Sequence, residues 1–179
     1  MIRTLGVLAT LFLALHANSA QAADDNDLYI KLPQGQVVIR MMPDIAPDHV
    51  AQVKKLVREG FYDDLDWFRV IDGFIAQTGY PLDKAKGKSG KSYLPDLKDE
   101  FSTYSFKRGT VGMGKSDAPN SANSQFFICL TDKMCKDLKG HYTAWGQVTE
   151  GMEIVDKIEK GTPPAHPTKT VKMAIGSDL

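Results

Sequence analysis

The chain has 179 residues, 42% hydrophobic and 25% charged, with 22 Lys+Arg against 22 Asp+Glu. That composition suits one soluble globular domain. A formal net charge of zero offers no electrostatic case for nucleic acid or an anionic membrane surface as partner.

The amino terminus reads as an export leader. Arg3 gives a short positive region, LGVLATLFLAL (5–15) an apolar stretch too short to span a bilayer, and Ala20-Gln21-Ala22 a small-x-small cleavage pattern. Cleavage after Ala22 leaves residues 23–179 as a single mature domain, free of the membrane and expected in a bacterial periplasm. An uncleaved membrane anchor is the alternative.

Strand signals follow. DLYIKL (27–32) alternates, Gln34-Gly35 turns, and QVVIRM (36–41) runs back. Pro47 and Asp48 then open a helix whose Val50, Val53, Leu56 and Val57 share a face and which Gly60 ends. His49 on this helix is expected to be exposed. FYDDLDWFRVI (61–71) and FIAQTGYP (74–81) read as two buried strands around Asp72-Gly73. Residues 82–100 make a long polar loop of the kind that often carries function, with the basic run KAKGKSGK (84–91) read as solvated. TVGMG (110–114), SQFFICL (124–130), YTAWGQV (142–148) and VKMAI (171–175) are further short strands. EGMEIVDKIEKG (150–161) reads as a second helix with Gly161 as its stop. The pattern points to a mainly β fold, a closed eight-stranded antiparallel β-barrel capped by two α-helices.

Most kinds of chemistry find no support. No G-x-S-x-G and no protease cysteine motif occurs, and His49, His141 and His166 form no metal-ligand pattern. GTVGMG is not followed by a helix, as a nucleotide fingerprint requires. No metal and no cofactor is expected. Cys129 and Cys135 are compatible with a disulfide in an oxidising compartment, and Cys129 equally with a buried free thiol.

Two stretches remain, WFRVIDGFIAQTGYP (67–81) and GMGKSDAPNSANSQFFI (112–128). With APDHV (46–50) ahead and GHYTAWGQVTEGMEIVDKI (140–158) behind, they closely resemble the signature segments of the cyclophilins, the cyclosporin-type peptidyl-prolyl isomerases, in the bacterial exported form. The resemblance runs over residues 27–176. It implies an eight-stranded barrel with a groove on one side, built here from Arg69, Phe74, Ile75, Gln77, Phe127, Leu138 and Tyr142, with Gly114, Lys115 and Ser116 as a backbone rim. Arg69, Gln77 and Phe74 would be catalytic and the others would bind substrate. It further implies a monomer acting on proline-containing unfolded or flexible polypeptides.

The residues themselves supply a reason for such a set. An X-Pro bond turns slowly because its C–N bond has partial double-bond character. As it twists, the nitrogen becomes pyramidal and its lone pair can accept a hydrogen bond. An arginine donating there stabilises the twisted state selectively. Phe74, Ile75, Phe127 and Leu138 would form a dry cup for the proline ring, and Gln77 would hold substrate or Arg69.

Taken singly, the same residues have plainer readings: Arg69 paired with Asp66 or Asp72, Gln77 on the surface, Tyr142 as strand packing, and only one of Phe126 and Phe127 outside the core. The chain also departs from the family pattern. Tyr142 stands where many members have His. Asp137 falls near a Trp of cyclosporin-sensitive members, which implies weak cyclosporin binding. Trp67-Phe68 replaces Phe-His, Tyr80 an Asp and Ile75 a Met, and Lys115 adds a charge at the rim. Two rival functions remain in view. One is a catalytically weak chaperone on the same fold. The other is a small-barrel ligand carrier, which would need an apolar lumen.

Overall fold

The computed structural model describes residues 24–81, 87, 88 and 90–179. The leader at 1–22 and half of the basic run at 84–91 lie outside the described residues. Strand β1 (Asp27–Leu32) pairs antiparallel with β2 (Gly35–Met41) through a two-residue turn at Pro33-Gln34, one residue earlier than expected. The chain continues through α1 (Pro47–Arg58), β3 (Arg69–Ile71) and β4 (Ile75–Thr78). A minor hairpin, β5 (Gly87–Lys88) with β6 (Lys91–Ser92), is followed by β7 (Thr110–Met113), β8 (Phe126–Cys129) and α2 (Asp132–Cys135). The last elements are β9 (Ala144–Glu150), α3 (Met152–Val155) and β10 (Lys172–Ile175).

Eight strands form one antiparallel sheet in the order β10-β1-β2-β9-β7-β8-β4-β3. The mainly β, eight-stranded expectation is borne out, but its closure needs correcting. The sheet curls into a half-barrel, and β3 and β10 at its two ends share no ladder. The seam is spanned by irregular backbone bonds instead: Asp64 donates to Thr170, Thr170 to Leu65, and Trp67 to Thr168, at 2.8–2.9 Å.

This seam also corrects the reading of 61–68 as strand. Gly60 and Asp64 adopt left-handed φ of 67° and 63°, which breaks any extended run. The segment passes as turns, dropping Tyr62, Leu65 and Trp67 into the core. The second helix is also shorter than 150–161. It ends at Val155, after which the chain turns to bring Gly161 into mutual backbone bonding with Val70 (2.8 and 2.9 Å). Helix α2 was not foreseen at all.

Inside the curl, Phe126 meets Tyr62, Trp67 and Trp145 edge-on at 5.5, 6.0 and 5.4 Å. These bulky rings are fully buried and fill the lumen, which excludes the ligand-carrier reading. Helix α1 buries the expected Val50, Val53, Leu56 and Val57. His49, however, is fully buried rather than exposed. Glu100 explains it: its carboxylate accepts the backbone N–H groups of Asp48 and His49 (3.1 Å each) and contacts His49 Nδ1 at 2.5 Å. The helix start, whose N-cap Ala46 has no capping side chain, is thus capped from a loop 51 residues downstream. The described part of the expected long loop, 90–100, therefore packs onto the fold.

Surface ion pairs tie separate segments together. Arg58 reaches Asp178 and Asp25 (both 2.8 Å), Lys54 also holds Asp25, and Arg108 grips Asp156 with two nitrogens (2.9 and 2.6 Å). Hydrogen bonding to Lys54 holds the Asp25 carboxyl well below the usual range, and Arg58 and Arg108 lower Asp178 and Asp156 in the same way. A carboxylate whose pKa is lowered by folding adds stability above its unfolded value and loses it as pH falls through the folded one. The thermal midpoint should therefore fall steadily as pH drops below about 4. High salt and Arg58→Gln should both flatten that limb; a midpoint indifferent to pH from 5 to about 2 would refute it.

Candidate active site

Strand alternation sends Phe126 and Ile128 of β8 into the main core and Phe127 and Cys129 to the opposite face. There, Phe127, Ile75, Phe106, Cys129, Cys135 and Ala144 form a second buried cluster, flanked by half-buried Phe74, Tyr104, Leu138 and Tyr142. This is why the stretch 67–81 is apolar on both faces: each side of the sheet here is covered.

Register then sets the polar groups. Arg69 lies directly opposite Gln77, Gln77 opposite Phe127, Phe127 opposite Gly112, and Gly112 opposite Ala144. One rung thus crosses five strands, with arginine at one end, an aromatic ring in the middle and a gap at Gly112. A Cβ at Gly112 would collide with the rings of Phe127 and Phe106, so only glycine lets both lie flat over that strand. Phe127 stacks on Phe106 at 6.1 Å and takes Tyr142 edge-on at 5.5 Å.

The result is a groove of about 310 Å³. Its floor and walls are Phe74, Ile75, Phe127, Leu138 and Tyr142, and Arg69, Gln77, Gly114 and Lys115 complete the lining, with Gly114 lying directly against the Gln77 amide. Of the expected groove residues only Ser116 lies elsewhere. It lines an adjoining hollow and bonds Ser121 at 2.9 Å. Lys115 is present, but its ammonium is turned toward Asp99 (3.6 Å) and the Phe101 ring, so its charge is answered away from the groove. Asp137 is exposed and lines no part of it.

The plain reading of Arg69 fails. Asp66 pairs instead with Lys169 at 3.0 Å, and among the described residues Arg69 has no carboxylate partner. Its Nη1 donates to Gln77 Oε1 (3.2 Å), Gln77 Nε2 to Gln125 Oε1 (3.0 Å), and Gln125 Nε2 to the carbonyl of Gly90 (2.9 Å). Every donor in this chain points the same way, so each bond polarises the next. Gln77 is therefore engaged with Arg69. Gln125 and Phe106 were missed by the sequence reading. Gln125 sits next to the Phe126-Phe127 pair, which was the available signal; Phe106, in an irregular segment, carried none.

Cys129 and Cys135 are disulfide-bonded, with Cα atoms 6.1 Å apart. The bridge lies beneath the cup and fastens α2, which leads directly into the turn carrying Leu138. Closing so short a loop is worth about 2 kcal/mol in the chain-entropy account. The Cys129→Ser/Cys135→Ser double variant should unfold at correspondingly lower denaturant, and reductant should shift the native protein but not the variant. Equal midpoints for the two proteins under oxidising conditions would refute the bond's contribution.

Among the described residues no cluster of three or more His, Cys, Asp or Glu could hold a metal ion, and no helix is long and apolar enough to cross a membrane. Residues 27–176 match the family model described as cyclophilin type peptidyl-prolyl cis-trans isomerase/CLD. A Brucella suis protein named probable peptidyl-prolyl cis-trans isomerase is 45% identical over 187 residues, spanning 95% of this chain and 94% of its own. Peptidyl-prolyl cis-trans isomerase B of Escherichia coli is 34% identical over 131 residues, spanning 70% of this chain and 79% of its own. A solved cyclophilin of Hirschia baltica superposes with a TM-score of 0.77 at 26% identity, covering 89% of this chain and 77% of its own. A cyclophilin-type isomerase of Cryptosporidium parvum, determined in the presence of the dipeptide Ala-Pro, gives 0.73 at 25% identity, covering 83% and 98%.

Proposed function

This chain belongs to the cyclophilin-type peptidyl-prolyl cis-trans isomerase family and has that activity, and we propose that it acts on exported polypeptides through Arg69 and the apolar cup beside it. The observation that carries this reading is the guanidinium beside an aromatic-lined groove, with no carboxylate partner among the described residues and Gln77 holding its angle.

The proline ring enters the cup over Phe127, between Ile75, Phe74 and Leu138. Water leaves, which strengthens every polar contact inside. The planar amide has a barrier of about 18–20 kcal/mol because its nitrogen lone pair is delocalised. Twisting localises that pair, and the free N–H groups of Arg69 donate to it. The planar ground state offers no such acceptor, so the bond forms only where it lowers the barrier. No proton is transferred and no covalent intermediate forms. The dipeptide in the Cryptosporidium parvum structure supports Ala-Pro as a probe here.

Export rests on the leader-like residues 1–22. Magnetisation exchange between the cis and trans forms of an Ala-Pro peptide tests the catalytic reading: acceleration by catalytic amounts of protein is expected. Peptide binding without acceleration would establish the rival, a proline-binding chaperone. Sequencing the amino terminus of the protein recovered from a periplasmic fraction tests export. A start at Ala23 is expected; an intact leader held in the membrane would replace export with anchoring.

A further inference from the structure

A second hollow, about 530 Å³, opens on the far side of Arg69 from the cup. Phe68, Tyr80, Pro163, Pro164 and Pro167 make most of its wall. Phe68 and Tyr80 lean together with ring centres 5.3 Å apart, both half-buried. Arg69 lines this hollow as well as the first, so the two adjoin at that residue. Among the described residues the only acidic wall residue, Asp66, is paired with Lys169. The guanidinium thus has no carboxylate partner among the described residues and stands between the cup and a largely apolar hollow.

We propose that this hollow is an additional substrate subsite that takes an aromatic side chain of the same polypeptide whose proline occupies the cup. The proposal rests on the Arg69 groove being the catalytic site. Continuity favours this occupant, because a chain seated in the first hollow must cross Arg69 to leave on that side. Chemistry favours an aromatic residue: a ring can lie against the Phe68-Tyr80 pair and the prolines with its face toward the guanidinium. The two hollows meet at Arg69, so the aromatic residue is a near neighbour of the proline in sequence, and its position is what the peptide series below reads out. The isomerase would then select prolines that lie near aromatic residues, the kind of segment that an unfolded chain exposes and a folded one buries.

The test uses glycine-flanked Ala-Pro heptapeptides in which one Phe is walked through every position outside the Ala-Pro pair. We expect one position to raise kcat/KM about tenfold over the all-glycine peptide, the scale of burying one apolar side chain. Phe68→Ala and Tyr80→Ala should each collapse that ratio toward one. In the unaltered protein, backbone amide signals of Phe68, Tyr80 and Thr162 should shift with that peptide and not with the all-glycine one. No gain at any position, a gain that survives both variants, or amide shifts confined to the cup would each overturn the subsite. The all-glycine peptide separates the two claims. Loss of its turnover in Arg69→Ala supports the groove whatever the Phe walk shows, so a failed walk then refutes the subsite alone, whereas retention of that turnover refutes the groove and the subsite with it.

Discussion

Replacing Arg69 by Ala lowers kcat/KM for an Ala-Pro peptide by about 10²–10³, the scale for losing one transition-state donor, and the protein stays folded. The fold survives because Arg69 is half-buried and, among the described residues, its side-chain hydrogen bond is the one to Gln77. Removing it leaves Gln77 Oε1 facing a groove that water can enter, so no buried acceptor is orphaned. The loss should fall on kcat rather than KM, because the bond to the prolyl nitrogen exists only in the twisted state. Arg69→Lys should recover only part of the rate. Lysine restores the charge but not the planar fork that Gln77 orients while other N–H groups stay free. A folded Arg69→Ala protein with unchanged turnover would remove the guanidinium from the mechanism.

How far such a site can be read from sequence depends on the distance over which its parts interact. Arg69 and Gln77 face each other across the three-residue turn Asp72-Gly73-Phe74, a short-range pairing, yet the stretch is apolar on both faces and only the resemblance put the two together in a groove. Their alignment with Phe127 needs β8 to pair with β4, a contact no local pattern encodes; only the resemblance to a known family supplied it. His49 shows the same limit. At helical spacing it falls on the apolar face, four residues before Val53 and seven before Leu56; its polar character argued for exposure, and the carboxylate that answers it lies 51 residues away. Gln77 was read as holding either substrate or Arg69, and Gln125, unseen as a partner, decides for Arg69 by taking its amide hydrogen. The stretch 61–68 looked like strand because Phe61, Tyr62, Leu65 and Trp67 are core residues. They reach the core from turns, since positive φ at Gly60 and Asp64 bends the chain while the barrel seam takes up its backbone donors. Burial was legible in these residues; the route by which each is buried was not. The Cys129–Cys135 bridge belongs to the same class, because the fold-back of α2 that joins them is set by packing under the cup.

Phe127→Ala should damage both stability and activity, and in a different way from Arg69→Ala. The ring is buried, stacked on Phe106, edge-on to Tyr142 and seated over the bare backbone of Gly112. Emptying that site costs about 3–5 kcal/mol, typical of deleting a buried aromatic ring, which denaturant unfolding would register directly. In whatever fraction remains folded, the cup has lost its floor. Its contact with the proline ring is the same in planar and twisted substrate, so the loss is of uniform binding. KM should rise by about 10–100-fold, the effect of removing 1–3 kcal/mol of apolar contact, with kcat nearly preserved. Phe127→Leu separates the two effects: it keeps most of the volume and should cost less than about 1.5 kcal/mol in stability. It still removes the flat surface on which the proline ring rests, so its KM should rise while its fold holds. The two substitutions thus divide one rung of the sheet by function, Arg69 moving kcat and Phe127 moving KM. If Arg69→Ala instead raised KM alone, as Phe127→Leu is expected to, the guanidinium would be holding the planar substrate, through its carbonyl oxygens, and the twisted nitrogen would need another donor.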